Sequence, residues 1–315
     1  MPQLISLIVP CYNESKAIDP FMATILPILS AVPDTLWEII CIDDGSKDDT
    51  LARLVALTKT VSGLRVIELS RNFGKEAALT VGLDSSRGAA AIPIDIDLQD
   101  PPELITDMVK AWREGAEVVV ARRIDRTSDS LMKRKTASGF YKLHNALSKI
   151  KIPENVGDFR LMDRCVVDAL KELPERQRFM KGLFAWVGFR TQTIDYIRPA
   201  RSAGTSKFSA LSLWNLAMEG FTSFSTTPLR IWTYVGGCGA VIALLYGLAI
   251  LLRTFFIGSS VPGYPSLFVA IIFFGSVQLI SIGFLGEYIG RIYMESKCRP
   301  NYIVRRRYGD TTSAP

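Results

Sequence analysis

The early part of the chain alternates between short apolar runs and longer stretches with helical spacing. The apolar runs, rich in β-branched residues, cover 4–9, 38–42, 65–69, 89–94 and 117–121. The stretches with helical spacing cover 18–31, 49–60, 75–85 and 102–114. Strands that alternate with helices form a parallel sheet with helices on both faces. The pattern therefore predicts an α/β fold with a doubly wound, mostly parallel sheet.

Three polar clusters follow predicted strands, at residues 10–14, 43–46 and 95–99. In doubly wound sheets, ligands bind beyond the carboxyl ends of the strands, where the strand order reverses. We therefore expect the three clusters to meet at one edge of the sheet. A glycine-rich dinucleotide fingerprint and a P-loop are both absent from the sequence, so a nucleotide would be held by carboxylates, a metal and scattered basic residues.

The third cluster contains Asp95 and Asp97, which come where a buried strand ends and where Pro101-Pro102 stops its continuation. Two carboxylates one residue apart on a strand share a face and repel each other unless a cation lies between them. Mg²⁺ or Mn²⁺ favours one or two carboxylates together with substrate phosphates. The cluster predicts such a site, and a solvated acidic turn is the alternative interpretation.

The composition excludes several kinds of site. The five cysteines are scattered without a C-x-x-C pair, which is typical of reduced thiols and argues against structural zinc. His144 is the only histidine, so a histidine-based triad is excluded. No recognition-helix or zinc-finger pattern supports a nucleic-acid partner. The net charge of +6 is better explained by attraction to an anionic membrane leaflet and to phosphorylated ligands.

Two long stretches carry no charged residue, 231–252 and 254–286, and each is long enough for a membrane-spanning helix. Residues 258–265 would form the hairpin between them. Basic residues flank the outer ends of the pair, which places both termini and the N-terminal domain in the cytoplasm. Residues 208–227 have apolar side chains at helical spacing, which favours a helix at the membrane interface over one packed on the protein.

Four motifs in register carry a resemblance to a known family: VPCYNE at 9–14, DDGS at 43–46, RNFGK at 71–75 and DIDLQDPP at 95–102. They resemble those of the inverting family 2 glycosyltransferases of GT-A fold. GDFRLM at 157–162, FMKG at 179–182, WVGF at 186–189 and LGEYIGR at 285–291 narrow this to polyisoprenyl-phosphate glycosyltransferases. Among these, the chain is most similar to bacterial bactoprenol glucosyltransferases of O-antigen modification, and dolichyl-phosphate mannose synthases are more distant.

The resemblance implies a division into a cytoplasmic GT-A domain (1–206), amphipathic juxtamembrane helices (207–229), two transmembrane helices (230–292) and a basic tail (293–315). It also implies a role for each matching residue. The nucleotide would be bound by Pro10, Tyr12, Glu14, Asp44, Lys75, Asp95, Arg201 and Lys207. The metal would be held by Asp95, Asp97 and Gln99, and the lipid phosphate by Arg123, Arg134 and Ser138, with Arg122, Lys133 and Lys135 as adjacent alternatives.

The implied reaction is inverting transfer of glucose from UDP-glucose to undecaprenyl phosphate at the bacterial inner membrane, with Mg²⁺ or Mn²⁺ as cofactor. The resemblance also implies a homo-oligomer, specifically a tetramer. Other donors stay open: GDP-mannose, UDP-GlcNAc or an amino-sugar nucleotide. A processive polysaccharide synthase is disfavoured because no Q-x-x-R-W element is present. A non-catalytic scaffold or transporter is disfavoured because the apolar stretches lack the ionisable residues that transport needs.

Asp158 is the predicted catalytic residue and lies, by sequence, in a turn-like segment after Gly157. The family pattern makes it the general base. A phosphate monoester has a second pKa near 6, so the acceptor is largely dianionic at neutral pH. Asp158 could therefore orient the acceptor instead of taking a proton from it.

Overall fold

The computed structural model describes residues 2–124, 156–176, 178, 180–196 and 263–309, with isolated helical residues between 238 and 256. The strands are β1 (Gln3–Cys11), β2 (Thr35–Asp43), β3 (Leu64–Leu69), β4 (Ala90–Pro93), β5 (Val118–Arg123), β6 (Val156–Asp163), β7 (Thr191–Tyr196) and β8 (Val304–Tyr308). The helices are α1 (Ile18–Ala31), α2 (Thr50–Leu57), α3 (Lys75–Ser85), α4 (Leu104–Arg113), α5 (Arg164–Glu172), α6 (Met180–Trp186) and α7 (Tyr264–Ser296).

The eight described strands form one sheet in the order β7-β5-β6-β4-β1-β2-β3-β8. β1 pairs in parallel with both β2 and β4, so the strand order reverses at β1. β6 is antiparallel to β4 and β5, and β8 is antiparallel to β3. The mostly parallel α/β sheet is confirmed, and the reversal places a crevice at the carboxyl ends of β1 and β4.

Alternating residues of the central strands face two apolar layers. Ile5, Leu7 and Val9 of β1 pack in the layer that contains α1 and α4, while Ile8 packs in the layer that contains α3 and α5. All four are 0% exposed. Both faces of β1 are therefore covered, as in other doubly wound sheets.

The position of Asp158 in β6 differs from the one expected from the sequence. Asp158 was predicted in a turn-like segment, but it lies inside β6, between Gly157 and Phe159. Long-range pairing with β4 and β5 holds this segment as a strand, with Ala91 opposite Met162 and Val119 opposite Leu161. Local residue types such as Gly157-Asp158 favour a turn, and the sheet overrides that preference.

The chain returns to the sheet after its long apolar helix. β8 pairs with β3, and Tyr308 donates its hydroxyl to Glu68 Oε2 at 2.8 Å. The backbone N–H of Arg176 donates to Glu295 Oε1 at 2.9 Å, which ties the end of α7 to the α/β domain. The sequence did not predict this strand, which lies in the segment treated as a basic tail. A five-residue run with three arginines carries no apolar alternation, so only the pairing reveals it.

Within the described residues, one helix is long and apolar enough to cross a membrane, Ala270–Ser296, with a mean hydropathy of 1.7. None of its most apolar window is buried against the rest of the protein. The first expected span, 231–252, lies mostly outside the described residues, so two spans are not confirmed. The amphipathic segment 207–229 lies wholly outside them.

Candidate active site

A cavity of about 330 Å³ lies at the carboxyl ends of β1, β2 and β4. Six of the predicted nucleotide-binding residues line it: Pro10, Tyr12, Glu14, Asp44, Lys75 and Asp95. Cys11, Asn72, Gly74, Ala78, Ile96 and Asp97 complete the lining. The remaining predicted contacts Arg134, Ser138, Arg201 and Lys207 lie outside the described residues. The predicted meeting of the three polar clusters at one edge is confirmed.

Asp44 fixes the loop that leads into α3. It is 3% exposed, and its two oxygens accept backbone N–H bonds from Phe73 at 2.7 Å and Gly74 at 2.8 Å. The neighbouring Gly45 has a φ of 68°, and a Cβ there would lie 2.5 Å from the Arg71 carbonyl carbon. Both oxygens of Asp44 are thus already hydrogen-bonded to the loop. Asp44 therefore supports the loop in addition to lining the cavity.

Asn13 supports two loops beside the cavity, a role that the sequence analysis did not predict. It lies after β1 with a φ of 54°, a left-handed conformation that asparagine tolerates better than most residues. Its Oδ1 accepts the Lys47 N–H at 2.8 Å, and its own N–H donates to Ser46 Oγ at 3.0 Å. These bonds join the loops after β1 and β2. The sequence signal for this role was the asparagine within the VPCYNE motif.

The acidic pair lies in a turn, which corrects the expectation that both carboxylates stand on a strand face. β4 ends at Pro93, two residues before Asp95. Asp97 accepts hydrogen bonds from the backbone N–H and the side-chain Nε2 of Gln99. Gln99 therefore orients Asp97 through its amide, while Leu98 between them has a φ of 53°. Both carboxylates still line the cavity.

Lys75 joins the acidic turn to Asp158. Its Nζ lies 2.7 Å from Asp95 Oδ1 and 2.8 Å from Asp158 Oδ2. Partial burial disfavours the ammonium, but the attraction of Asp158 and Asp95 outweighs it and raises the pKa of Lys75. Lys75 was predicted from the resemblance as a nucleotide contact. The structure shows that it also links the predicted metal site to the predicted catalytic residue.

Asp158 is held as an anion. Burial would raise its pKa, but the positive charges of Lys75, Lys181 and Arg160 bring the pKa below the ordinary value. Within the described part of the chain, Asp158 Oδ1 is buried without a hydrogen-bond partner. Arg160 nearby is itself buried, lies over the Phe184 ring at 3.9 Å and donates to the Gly157 carbonyl at 2.6 Å.

Glu76 and Lys181 flank Asp158 and were not predicted. Burial, followed by repulsion from Asp158, raises the pKa of Glu76 to about 7. Its Oε2 accepts the N–H of Met180 at 3.1 Å, which brings the start of α6 and Lys181 beside the site. The sequence signal was the position of Glu76 directly after Lys75, but nothing local indicated which strand it would face.

The donor set at the acidic turn fits a hard divalent cation. Burial raises the pKa of both Glu14 and Asp95; Lys75 opposes the rise at Asp95, and the charge of Asp97 adds to the rise at each. A cation between these groups would relieve the repulsion. Among the described residues, no group of three or more His, Cys, Asp and Glu could hold a metal. Two carboxylates completed by phosphate oxygens match the preference of Mg²⁺ and Mn²⁺.

The end of β5 carries Arg122 and Arg123, the two arginines that the sequence could not separate as the lipid-phosphate contact. Arg122 is bound to Asp195 through two hydrogen bonds, of 2.7 Å from Nε and 2.9 Å from Nη2. Arg123, the predicted phosphate contact, lies opposite Tyr196 in the parallel register of β5 and β7. Arg122 is thus engaged by the carboxylate of Asp195, and the lipid-phosphate role of Arg123 stays a prediction.

Together the mostly parallel sheet, the acidic turn and the Lys75–Asp158 pair define an α/β protein whose candidate active site lies at the switch point of its sheet. The chain belongs to the family described as Glycosyl transferase family 2, whose sequence pattern matches residues 6–171, and it is a glycosyltransferase. Its fold is GT-A-like.

Two relatives are similar to the chain over nearly their full length. The chain is 55% identical over 303 residues to the bactoprenol glucosyl transferase of Shigella phage SfV, covering 96% of this chain and 98% of that protein. It is 53% identical over 304 residues to the prophage bactoprenol glucosyl transferase homolog of Escherichia coli K12, covering 96% and 98%.

Among solved structures, glucosyl-3-phosphoglycerate synthase from Mycobacterium tuberculosis with uridine diphosphate is 21% identical, with a TM-score of 0.43. The match covers 69% of this chain and 79% of that one. This likeness is too low to bear on function.

Proposed function

We propose that the protein transfers glucose from UDP-glucose to a polyprenyl phosphate, such as undecaprenyl phosphate, with inversion at the sugar carbon. The observation that carries the proposal is the pair of contacts made by Lys75. Its Nζ lies 2.7 Å from Asp95 Oδ1 in the acidic turn and 2.8 Å from Asp158 Oδ2, so it joins the proposed diphosphate site to the proposed catalytic residue. The acceptor and the sugar are supported by relatives that carry the name bactoprenol glucosyl transferase over nearly the full length of this chain.

The donor occupies the cavity at the ends of β1, β2 and β4. Tyr12, 40% exposed at its mouth, offers a ring to the base, and Asp95 and Asp97 face the diphosphate. Mg²⁺ or Mn²⁺, held there by Asp95 and Asp97, would stabilise the negative charge that develops on the leaving nucleoside diphosphate. Gln99 keeps Asp97 oriented for that role. Arg201 and Lys207 complete the proposed phosphate contacts.

Asp158 orients the acceptor in this proposal. A carboxylate whose pKa is lowered is a weak proton acceptor, and the acceptor phosphate is already largely ionised at neutral pH. Lys75 and Lys181 offset the repulsion between Asp158 and the incoming phosphate. Arg123, Arg134 and Ser138 would hold the phosphate itself. Most of the acceleration then comes from positioning and electrostatics.

The protein would act at the bacterial inner membrane, with its catalytic domain in the cytoplasm and two spans in the membrane. The apolar helix Ala270–Ser296 and the basic residues that follow it support this orientation. A tetrameric assembly and a product used for cell-surface glycans such as O-antigen are carried over from the resemblance. An external thiol reagent should label a cysteine at Ser259 in intact cells and miss one at Ser313, and the reverse pattern would contradict this topology.

The decisive assay incubates membranes that contain the protein with labelled UDP-glucose, GDP-mannose, UDP-GlcNAc or an amino-sugar nucleotide, and with undecaprenyl phosphate. We expect a glucosyl lipid with Mg²⁺ or Mn²⁺ and its loss in EDTA. Asp97→Ala should lower the rate about 100-fold or more, whereas Asp107→Ala, an exposed carboxylate on α4, should act as wild type. Transfer of label from another donor would change the assignment of the sugar. Full activity of Asp97→Ala in EDTA would refute the metal site.

A further inference from the structure

The acidic turn contains a backbone conformation that the turn cannot maintain alone. Leu98, between Asp97 and Gln99, has a φ of 53°, which is uncommon for a branched residue and costs on the order of 1 kcal/mol or more. Its side chain is half-buried against the apolar layer of α1 and α4. Such a conformation persists where the surrounding structure fixes both ends of the segment. The attachment points of the turn are therefore relevant to how it presents its carboxylates.

One attachment point lies before Leu98 and one after it. Before it, Asp95 is bound by Lys75 at 2.7 Å. After it, the carboxylate of Asp100 accepts a hydrogen bond from the Tyr196 hydroxyl at 2.6 Å. Both partners are half-buried, and a hydroxyl bound to a carboxylate is a strong hydrogen bond.

Tyr196 reaches Asp100 across two intervening strands. It is the last residue of β7, while the acidic turn follows β4, and β5 and β6 lie between them in the sheet. Tyr196 lies opposite Arg123 of β5, and its carbonyl accepts the N–H of Ile124, the residue after β5, at 3.0 Å. The hydroxyl thus belongs to a residue at the end of a paired strand.

Asp100 also lies beside the strand that carries Asp158. A Cβ built on Gly157 would lie 3.9 Å from Asp100 Oδ2, an ordinary contact distance. The hydrogen bond therefore joins the acidic turn to the end of β7, and it lies beside the start of β6. Its loss would free the turn at Asp100.

We propose that Tyr196 is a positioning residue that holds the acidic turn, through Asp100, in the conformation that presents Asp95 and Asp97 to a metal-bound nucleoside diphosphate. The inference rests on the proposed function, because it assumes that the cavity binds such a group. Tyr196 contacts neither donor nor metal and acts through the turn. Its loss is expected to weaken metal-dependent nucleotide binding and to leave metal-independent binding unchanged.

The test is the binding of UDP to the purified full chain, measured by titration calorimetry with Mn²⁺ and again in EDTA. Tyr196→Phe should weaken binding in Mn²⁺ about tenfold and leave binding in EDTA unchanged. In the transfer assay, the donor KM should rise by a similar factor while kcat stays within about twofold. A role in stability alone would lower the melting temperature without this dependence on the metal.

Three further variants sharpen the test. Asp100→Ala should match Tyr196→Phe, and the double variant should lose nothing more, because both changes remove one interaction. Asp100→Asn keeps an oxygen for the hydroxyl and should lose less than Asp100→Ala. Tyr308→Phe removes another hydroxyl–carboxylate bond, the 2.8 Å bond to Glu68 at the opposite edge of the sheet, and should bind UDP as wild type does.

Unchanged UDP binding by Tyr196→Phe in Mn²⁺ would overturn the inference, as would additive losses in the double variant or no Mn²⁺-dependent UDP binding by the wild type. The proposed function fails separately. If no donor yields a polyprenyl product but Tyr196→Phe still weakens Mn²⁺-dependent UDP binding, the acceptor assignment is wrong and the positioning role of Tyr196 stands.

Discussion

The two ends of the parallel strands each pair carboxylates with a basic side chain, but they differ in how completely the protein satisfies those charges. At the amino end, Glu38 Oε1 accepts hydrogen bonds from Ser6 Oγ at 2.5 Å and Arg87 N at 2.6 Å. Its Oε2 lies 3.0 Å from Arg65 Nη1. The side chains of Arg65 and Glu38 are 9% and 8% exposed.

At the carboxyl end, Lys75 is shared between Asp95 and Asp158, and its side chain is 43% exposed. Asp158 Oδ1 is buried without a partner among the described residues. Glu14 and Asp97 add further negative charge that no described cation pairs with at short range. At the amino end, both oxygens of Glu38 have partners, and the network supports the fold. At the carboxyl end, negative charge that is unpaired in the described part of the chain lies beside an open cavity that can take a ligand.

The sharpest test of this difference removes the acidity of Asp158. Asp158→Asn should lower kcat on the order of 1,000-fold. If Asp158 orients an already ionised acceptor, the loss should be the same at every pH above 7. A general base would instead give a loss that shrinks as pH rises. Binding of UDP should be unchanged, and Asp168→Asn, on the exposed face of α5, should act as wild type.

The second test compares one substitution at each end of the strands for its effect on stability and on activity. Arg65→Met leaves the buried Glu38 carboxylate without its ion-pair partner and should lower the free energy of unfolding by about 3 kcal/mol. The folded fraction should keep its kcat. Lys75→Met should greatly reduce transfer and cost less stability than Arg65→Met, because Lys75 is 43% exposed and Asp158 keeps the positive charges of Lys181 and Arg160 nearby. Equal stability losses in the two variants, measured by thermal unfolding, would remove the distinction.

A smaller effect concerns the pH dependence of stability. The folded-state pKa of Glu76 is about 7, above its ordinary value of 4.5, so the folded state favours its neutral form. That stabilisation is complete below pH 4.5 and is lost as pH rises through 7. Between pH 5 and 8, wild type should lose about 2 kcal/mol more than Glu76→Gln, whose amide oxygen can still accept the Met180 N–H. Parallel pH profiles for the two proteins would contradict this.

Local patterns were enough to predict much of the fold. The helices at 18–31 and 75–85 have the predicted bounds, and the predicted strands match the first five strands to within a few residues. Apolar periodicity reports how a segment meets the core, and the parallel arrangement follows from the strand–helix alternation. The meeting of residues 10–14, 43–46 and 95–99 followed from the same rule, because the carboxyl ends of parallel strands share an edge.

The tertiary structure alone decided which distant side chains meet. Lys75 lies against Asp158, Glu76 binds the Met180 N–H, and Tyr196 binds Asp100, each across long separations in the sequence. β6 and β8 are strands because antiparallel partners hold them. The sequence by itself determined the first five strands and the helices between them, the binding edge and the family, since these depend on local periodicity and short motifs. Strand order and register placed Asp158 beside the acidic turn, and no local pattern encodes them.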